Sequence, residues 1–264
     1  MANKRNKGAQ RWVVKLGTGI LSTPEGRLDL AQIAQLVKQI AALKRKGHEV
    51  ILVSSGAIGG GMGLLGLDKR PKVIEELQAC AAIGQPQLMR IYEEFLSKAG
   101  LHAAQILLTY LDLDSRTLYA NAQRTIAHLL KLKSFIPIIN ENDVISSEEL
   151  PRSSRFGDND TLSAHVAVLV KADRLIILSN VPGLTERPDG SGKAIPFVPR
   201  VDEKIWALAG KTSSERSVGG MVTKLEAARF ANAEGIPMQI ANGRVANILL
   251  KIAAGKQVGT LFGK

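Results

Sequence analysis

The amino-acid sequence predicts an α/β protein: a three-layer α/β/α sandwich whose mainly parallel central sheet is covered by helices on both faces. Two observations carry this. Short apolar runs that read as buried strands alternate along the chain with segments of helical periodicity, and strand-helix alternation of that kind builds parallel sheets. The 264 residues, 45% of them hydrophobic, suffice for a full core, and sheets with helices on both faces often reach this size as one unit.

The first strand spans 12–16. Residues 30–46 then set Ile33, Val37, Ile40 and Leu43 on one helical face and stop at Gly47, a residue suited to closing a helix. The next strand, 49–53, is followed by a glycine-rich turn and two helical segments, 75–82 and 87–99. A strand at 104–108, a helix at 115–132 and a strand at 135–139 complete the first half. The second half repeats the alternation: helix 161–170, strand 174–178, helix 223–233, strand 238–241, helix 247–253 and a last strand near 258–262. Pro188-Asp189-Gly190 marks a hairpin turn. In such a sheet, ligands bind at the carboxyl ends of the strands.

The balance of 35 basic against 24 acidic residues leaves a net charge of +11, which invites a polyanionic partner. Aromatic residues make up only 4%, too few for a base-stacking platform. Much of the charge also lies in Lys4, Arg5, Lys7 and Arg11 and in Lys44-Arg45-Lys46. Nucleic acid is therefore set aside in favour of positive potential that gathers a small polyanion. The single cysteine, Cys80, allows no internal disulfide and suits a reducing compartment. Flanked by Ala79, Ala81, Ala82 and Ile83, it reads as a packed apolar residue rather than a nucleophile. No apolar run approaches the roughly 18 residues of a membrane span, and the basic N-terminus lacks the apolar stretch of a signal peptide. A cytoplasmic protein is expected.

Five segments concentrate small and polar residues at predicted strand ends or helix starts. Lys15-Leu16-Gly17-Thr18-Gly19 pairs a lysine with residues small enough to admit backbone amides to a ligand; it lacks P-loop spacing and would equally make a tight turn. Ser54-Ser55-Gly56, running on into Ala57-Ile58-Gly59-Gly60-Gly61, suits an anion or carboxylate held by amides and hydroxyls, or a flexible connector. Asn140-Glu141-Asn142-Asp143 ends an apolar strand, where four polar side chains cannot all serve packing and a turn or cap uses only one. In Phe156-Gly157-Asp158-Asn159-Asp160-Thr161, one aspartate fits a helix N-cap and the rest are free to organise lysines or hold an ammonium group. Gly219-Gly220-Met221-Val222-Thr223-Lys224 opens a helix, so amides, helix dipole and lysine converge as they do around nucleotide phosphates, unless the lysine is merely solvated.

Together with Ala81-Ala82-Ile83-Gly84-Gln85, Leu162-Ser163-Ala164 and Val258-Gly259-Thr260-Leu261-Phe262, these segments resemble the amino-acid kinase family, and within it the members that phosphorylate glutamate. The resemblance runs from Arg11 through nearly the whole chain. It implies ATP-dependent phosphorylation of the side-chain carboxylate of L-glutamate, the first step of proline biosynthesis, with ATP bound as its Mg2+ complex and no metal ligands assigned on the chain. It also implies a basic tail at 1–11 and a kinase domain at 12–264, with a glutamate-binding lobe to about residue 172 and an ATP-binding lobe from about residue 173. Lys15 and Lys224 would neutralise charge on the phosphoryl group in flight, with Asp160 holding both lysines. Ser55, Gly56, Asp143 and Asn159 would bind glutamate. Lys15, Gly17, Ser179, Asn180, Gly219, Gly220, Met221 and Lys224 would bind the nucleotide.

Feedback inhibition by proline and a homo-oligomer are expected, as is the lack of the RNA-modification-type C-terminal domain that many members carry. Two segments depart from the family pattern on the nucleotide side: Ser179-Asn180 stands where Thr-Asp is usual, and Ser217-Val218 replaces Gly-Thr ahead of Gly219-Gly220-Met221. No histidine falls in these motifs, in keeping with phosphoryl transfer to a carboxylate, which needs positioning and charge stabilisation rather than a general base. The residues leave open another acceptor, such as aspartate, acetylglutamate or a nucleoside monophosphate, and a binding protein that senses glutamate or proline without turnover.

Overall fold

Side-chain alternation along the first strand sets the layers. In the computed structural model, which describes residues 8–145, 159–210 and 220–263, β1 (Arg11–Leu16) sends Trp12, Val14 and Leu16 into one buried cluster and Val13 into another. That is the period of a strand covered on both faces. The chain continues through α1 (Thr18–Leu21), α2 (Leu30–Arg45), β2 (Glu49–Ser54), α3 (Ala57–Leu65), α4 (Ile74–Ser97) and β3 (His102–Leu108). Next come α5 (Tyr110–Asp114), α6 (Arg116–Lys131), β4 (Phe135–Glu141), α7 (Asn159–Leu169), β5 (Arg174–Ser179), β6 (Phe197–Val198) and α8 (Glu203–Ala207). The last elements are α9 (Met221–Ala233), β7 (Met238–Asn242), α10 (Ile248–Ala253) and β8 (Thr260–Phe262).

The strands form one sheet in the order β3-β4-β2-β1-β5-β7-β8-β6. Pairing is parallel from β3 to β7, and an antiparallel ladder joins β7 to β8. One face packs against α6, α7 and α9 through Ile126, Leu130, Leu162, Val166, Leu225 and Ala228. The other packs against α2, α4 and α10 through Ile33, Ile40, Leu88, Tyr92 and Leu249. The α/β/α sandwich expected from the sequence is the observed architecture.

Two expectations are corrected. The glycine-rich stretch after β2 is a helix, α3, and the two helical segments after it are one helix, α4, which continues through Pro86. Each interior glycine costs a helix about 1 kcal/mol relative to alanine, and here close packing offsets that cost. A Cβ on Gly61 would run into the Cys80 carbonyl, and one on Gly84 into the Ala57 carbonyl. The glycines let two helix backbones touch; they do not make a flexible connector. Pro86 removes one donor from the helical ladder without ending the helix. The expected hairpin turn is present: Thr185 and Ala194 form an antiparallel bridge, and Gly190, at φ +82°, donates to Arg187 O at 3.1 Å. No helix among the described residues is long and apolar enough to cross a membrane.

Candidate active site

Parallel pairing brings the carboxyl ends of β1, β2, β4 and β5 to one edge of the sheet. Lys15 is the penultimate residue of β1, and the alternation that buries Val14 and Leu16 on the α2 side turns Lys15 towards α7 and α9. Asp160 lies in the first turn of α7 and Lys224 in the first turn of α9. The three meet: Lys15 Nζ is 2.7 Å from Asp160 Oδ1 and Lys224 Nζ is 3.0 Å from Asp160 Oδ2. The Thr223 hydroxyl is also 3.0 Å from Oδ2, and Lys224 Nζ is 3.4 Å from Gly220 O. All three charged side chains are buried. Burial pushes the Asp160 carboxyl up, but Lys15 and then Lys224 outweigh it and hold the group far below the usual carboxylate range. Two ammonium groups against one carboxylate leave a surplus positive charge at the strand ends.

The glycine turn after β1 closes over this cluster. Gly17 N–H donates to Leu178 O on β5 at 3.3 Å. A Cβ on Gly17 would lie 3.4 Å from Lys15 Nζ, and one on Gly19 would lie 3.6 Å from the Asn180 side chain. Ser179 and Asn180 end β5 on the same side, and Gly220 and Met221 open α9 beside Lys224. Gly219, with Ser217 and Val218, lies outside the described residues, as do Gly157, Asp158 and residues 1–7.

A line of amides extends to the other flank. Asn159 Nδ2 lies 2.8 Å from Ser55 Oγ and 3.0 Å from Asn140 Oδ1. Asn140 Nδ2 donates to Gln85 Oε1 at 3.0 Å, and Gln85 Nε2 donates to Gln105 Oε1 at 3.0 Å. Asn159 Oδ1 is buried with no hydrogen-bond partner among the described residues. Gly56, at φ +108°, turns the chain from β2 into the N-terminus of α3, whose first amides lack helical partners. Asp143 lies just beyond β4, and its carboxyl is pushed up to about 6 by burial and then by Glu141, with Arg70 acting in the opposite direction. Gln105, alone on an edge-side strand, carried no motif signal, whereas Gln85 lay within the Ala-Ala-Ile-Gly-Gln segment.

As for magnesium, no group of three or more His, Cys, Asp or Glu side chains among the described residues could hold a metal ion. Both Asp160 oxygens already face lysine ammonium groups.

The sequence pattern of the amino acid kinase family matches residues 10–242. The chain belongs to the amino acid kinase family. Among its family relatives, the glutamate 5-kinase of Caldanaerobacter subterraneus subsp. tengcongensis is 46% identical over 255 residues, covering 96% of this chain and 67% of the relative. That of Carboxydothermus hydrogenoformans is 46% identical, covering 97% and 68%. That of Methylococcus capsulatus is 44% identical, covering 97% and 68%. The crystal structure of UMP kinase from Bacillus anthracis shares the family fold, with a TM-score of 0.62 over 96% of both chains at 16% identity.

Proposed function

We propose that the protein transfers the γ-phosphoryl group of ATP to the side-chain carboxylate of L-glutamate, giving L-glutamyl 5-phosphate and ADP at the first step of proline biosynthesis. The observation that carries this is the buried Lys15–Asp160–Lys224 cluster, whose surplus positive charge sits where the strands end. Relatives at 44–46% identity over 96–97% of the chain are glutamate 5-kinases, so an acceptor other than glutamate is not favoured.

One glutamate side-chain oxygen attacks the γ-phosphorus in line, the bond to the β,γ-bridging oxygen breaks, and its electrons leave on ADP. Charge moves from the attacking carboxylate across the phosphoryl group, and Lys15 and Lys224 lower the barrier by being fixed beside it before it moves. Asp160 keeps both ammonium groups aimed. Ser55, Asn159 and the α3 amides that follow Gly56 take glutamate oxygens, and Asp143 takes its ammonium group. Gly17, Ser179, Asn180, Gly220 and Met221, with Gly219 beyond the described residues, take ATP, which enters as its magnesium chelate. We assign glutamate to the part of the chain before about residue 172 and ATP to the part after it. Proline as feedback inhibitor, a homo-oligomer and a cytoplasmic location belong to the same proposal; the lone buried Cys80 supports the last.

The test is direct. With Mg-ATP, L-glutamate and hydroxylamine, the protein should form γ-glutamyl hydroxamate and ADP in equal amounts. Glutamate-independent ADP release, or binding of glutamate without turnover, would rule the proposal out.

A further inference from the structure

One arginine ties the turn after β7 to the glycine turn after β1. Arg244 Nη1 lies 3.0 Å from Asp29 Oδ2. Its Nη2 donates to Ser22 O at 2.9 Å and to Gly19 O at 3.3 Å. The other oxygen of Asp29 is already engaged, accepting from Gln32 N–H at 3.0 Å as the cap of α2. The same turn is held from its other side. Gly243 N–H donates to Ser179 O at 2.9 Å, Asn242 Nδ2 to Asn180 O at 3.4 Å, and Gly243 O accepts from Gln32 Nε2 at 2.7 Å. A Cβ on Gly243 would come within 3.1 Å of both Ile20 and Leu178, so the backbone here is wedged between α1 and β5.

Residues 242–244 therefore clip the end of the glycine turn to the end of β5, the two places where Gly19 and the Asn180 side chain already face each other. α1 is only four residues long and cannot hold its own geometry. Its carbonyls need an outside donor. A planar guanidinium can serve two carbonyls and a carboxylate at once, whereas a lysine ammonium acts as a single point charge.

We propose that Arg244 is a positioning residue for the nucleotide: it fixes the Gly17-Thr18-Gly19 turn against Ser179-Asn180, so that both surfaces meet the phosphates in register. This rests on the ATP-binding role proposed above for those residues. Arg244 acts through the turn it holds, so its loss should appear in nucleotide affinity and not in the chemical step.

The experiment uses the full chain and compares the unmodified protein with Arg244→Met and Arg244→Lys. Calorimetric binding of a non-hydrolysable ATP analogue with magnesium is measured alongside steady-state kinetics and thermal melting. Arg244→Met removes all three contacts that hold the turn, and should weaken analogue binding and raise the KM for ATP by about tenfold. Its kcat and KM for glutamate should stay within about twofold, the pattern of lost binding that leaves the chemical step intact. Arg244→Lys should recover part of the affinity. Unchanged nucleotide affinity in Arg244→Met would overturn the proposal, as would a fall in all parameters that merely follows lost thermal stability. Binding does not require turnover, so a chain that binds nucleotide through Arg244 but phosphorylates no glutamate would refute the function and leave this inference standing. A chain that binds no nucleotide would overturn both.

Discussion

Asp160 gives each of its two oxygens to a different lysine, so removing one ammonium group leaves the carboxylate still paired, and the cost falls on catalysis more than on folding. Lys15→Ala and Lys224→Ala should each lower kcat by at least about a hundredfold, the size of effect seen when a group stabilising transition-state charge is removed. The KM for glutamate should move less; near-normal kcat in either variant would remove that lysine from the mechanism. Asp143 presents the opposite electrostatics. Burial, and then Glu141, push its carboxyl from 3.8 up to about 6, so the folded protein holds a proton there that the unfolded chain releases at lower pH. As pH rises through that window the stability contribution falls, reaching its full penalty above about 6. Asp143→Asn should therefore stabilise the ligand-free protein by roughly 2–3 kcal/mol at pH 8 and by almost nothing at pH 3.5, which denaturant titrations at the two pH values would check. The ammonium group of glutamate needs the ionised form. kcat/KM for glutamate should accordingly fall below pH 6 with an apparent pKa near 6, and that limb should be missing from the profile of Asp143→Asn, whose glutamate use is poor throughout.

At the scale of the element, the α3–α4 pair shows how glycine can be read in two opposite ways. Gly63, in the middle of α3, has no heavy atom near the place of a Cβ, whereas Gly84 of α4 has the Ala57 carbonyl there. Gly63→Ala should stabilise the protein by about 0.5–1 kcal/mol through helix propensity, and Gly84→Ala should destabilise it by about 3 kcal/mol because two backbones must part. Matching thermal melts of the two variants would show that glycine here supplies only flexibility. The same pair marks where the sequence was legible and where it was not. β1, β2 and β5 were readable because residues on both faces of each are apolar, a property local to the strand. α3 was not, because the reason for its glycines lies on another helix, just as Gln105 and Arg244 find their partners on Gln85 and on Gly19, Ser22 and Asp29, remote in the chain. Lys15, Asp160 and Lys224 stood out by motif, but their meeting through one carboxylate depends on the sheet order, which no single segment encodes.

For the whole molecule the decisive strand is β1. All six of its residues pair with β2, and Trp12 to Leu16 pair with β5, so the part of the chain assigned to glutamate and the part assigned to ATP share their central ladder. Both buried clusters cross that seam: one runs from Val13 to Phe262, the other from Trp12 to Ile252. Neither half can unfold without exposing the apolar face of the other, so unfolding should be a single cooperative transition. The two tryptophans report on it from opposite sides of the sheet. Trp12 is fully buried in the β1 cluster, and Trp206 of α8 packs against the other cluster, with the Arg229 guanidinium 5.9 Å from its ring. In each of the single-tryptophan variants Trp12→Phe and Trp206→Phe, the fluorescence midpoint in denaturant should coincide with that same variant's loss of helical circular dichroism. Saturating glutamate, whose proposed ligands all precede residue 172, should shift the Trp206 signal as far as the Trp12 signal, because a ligand stabilises the whole cooperative unit it binds. An earlier Trp206 transition that glutamate leaves in place would divide the chain into two independently folding halves and remove β1 as the element that couples the two substrates.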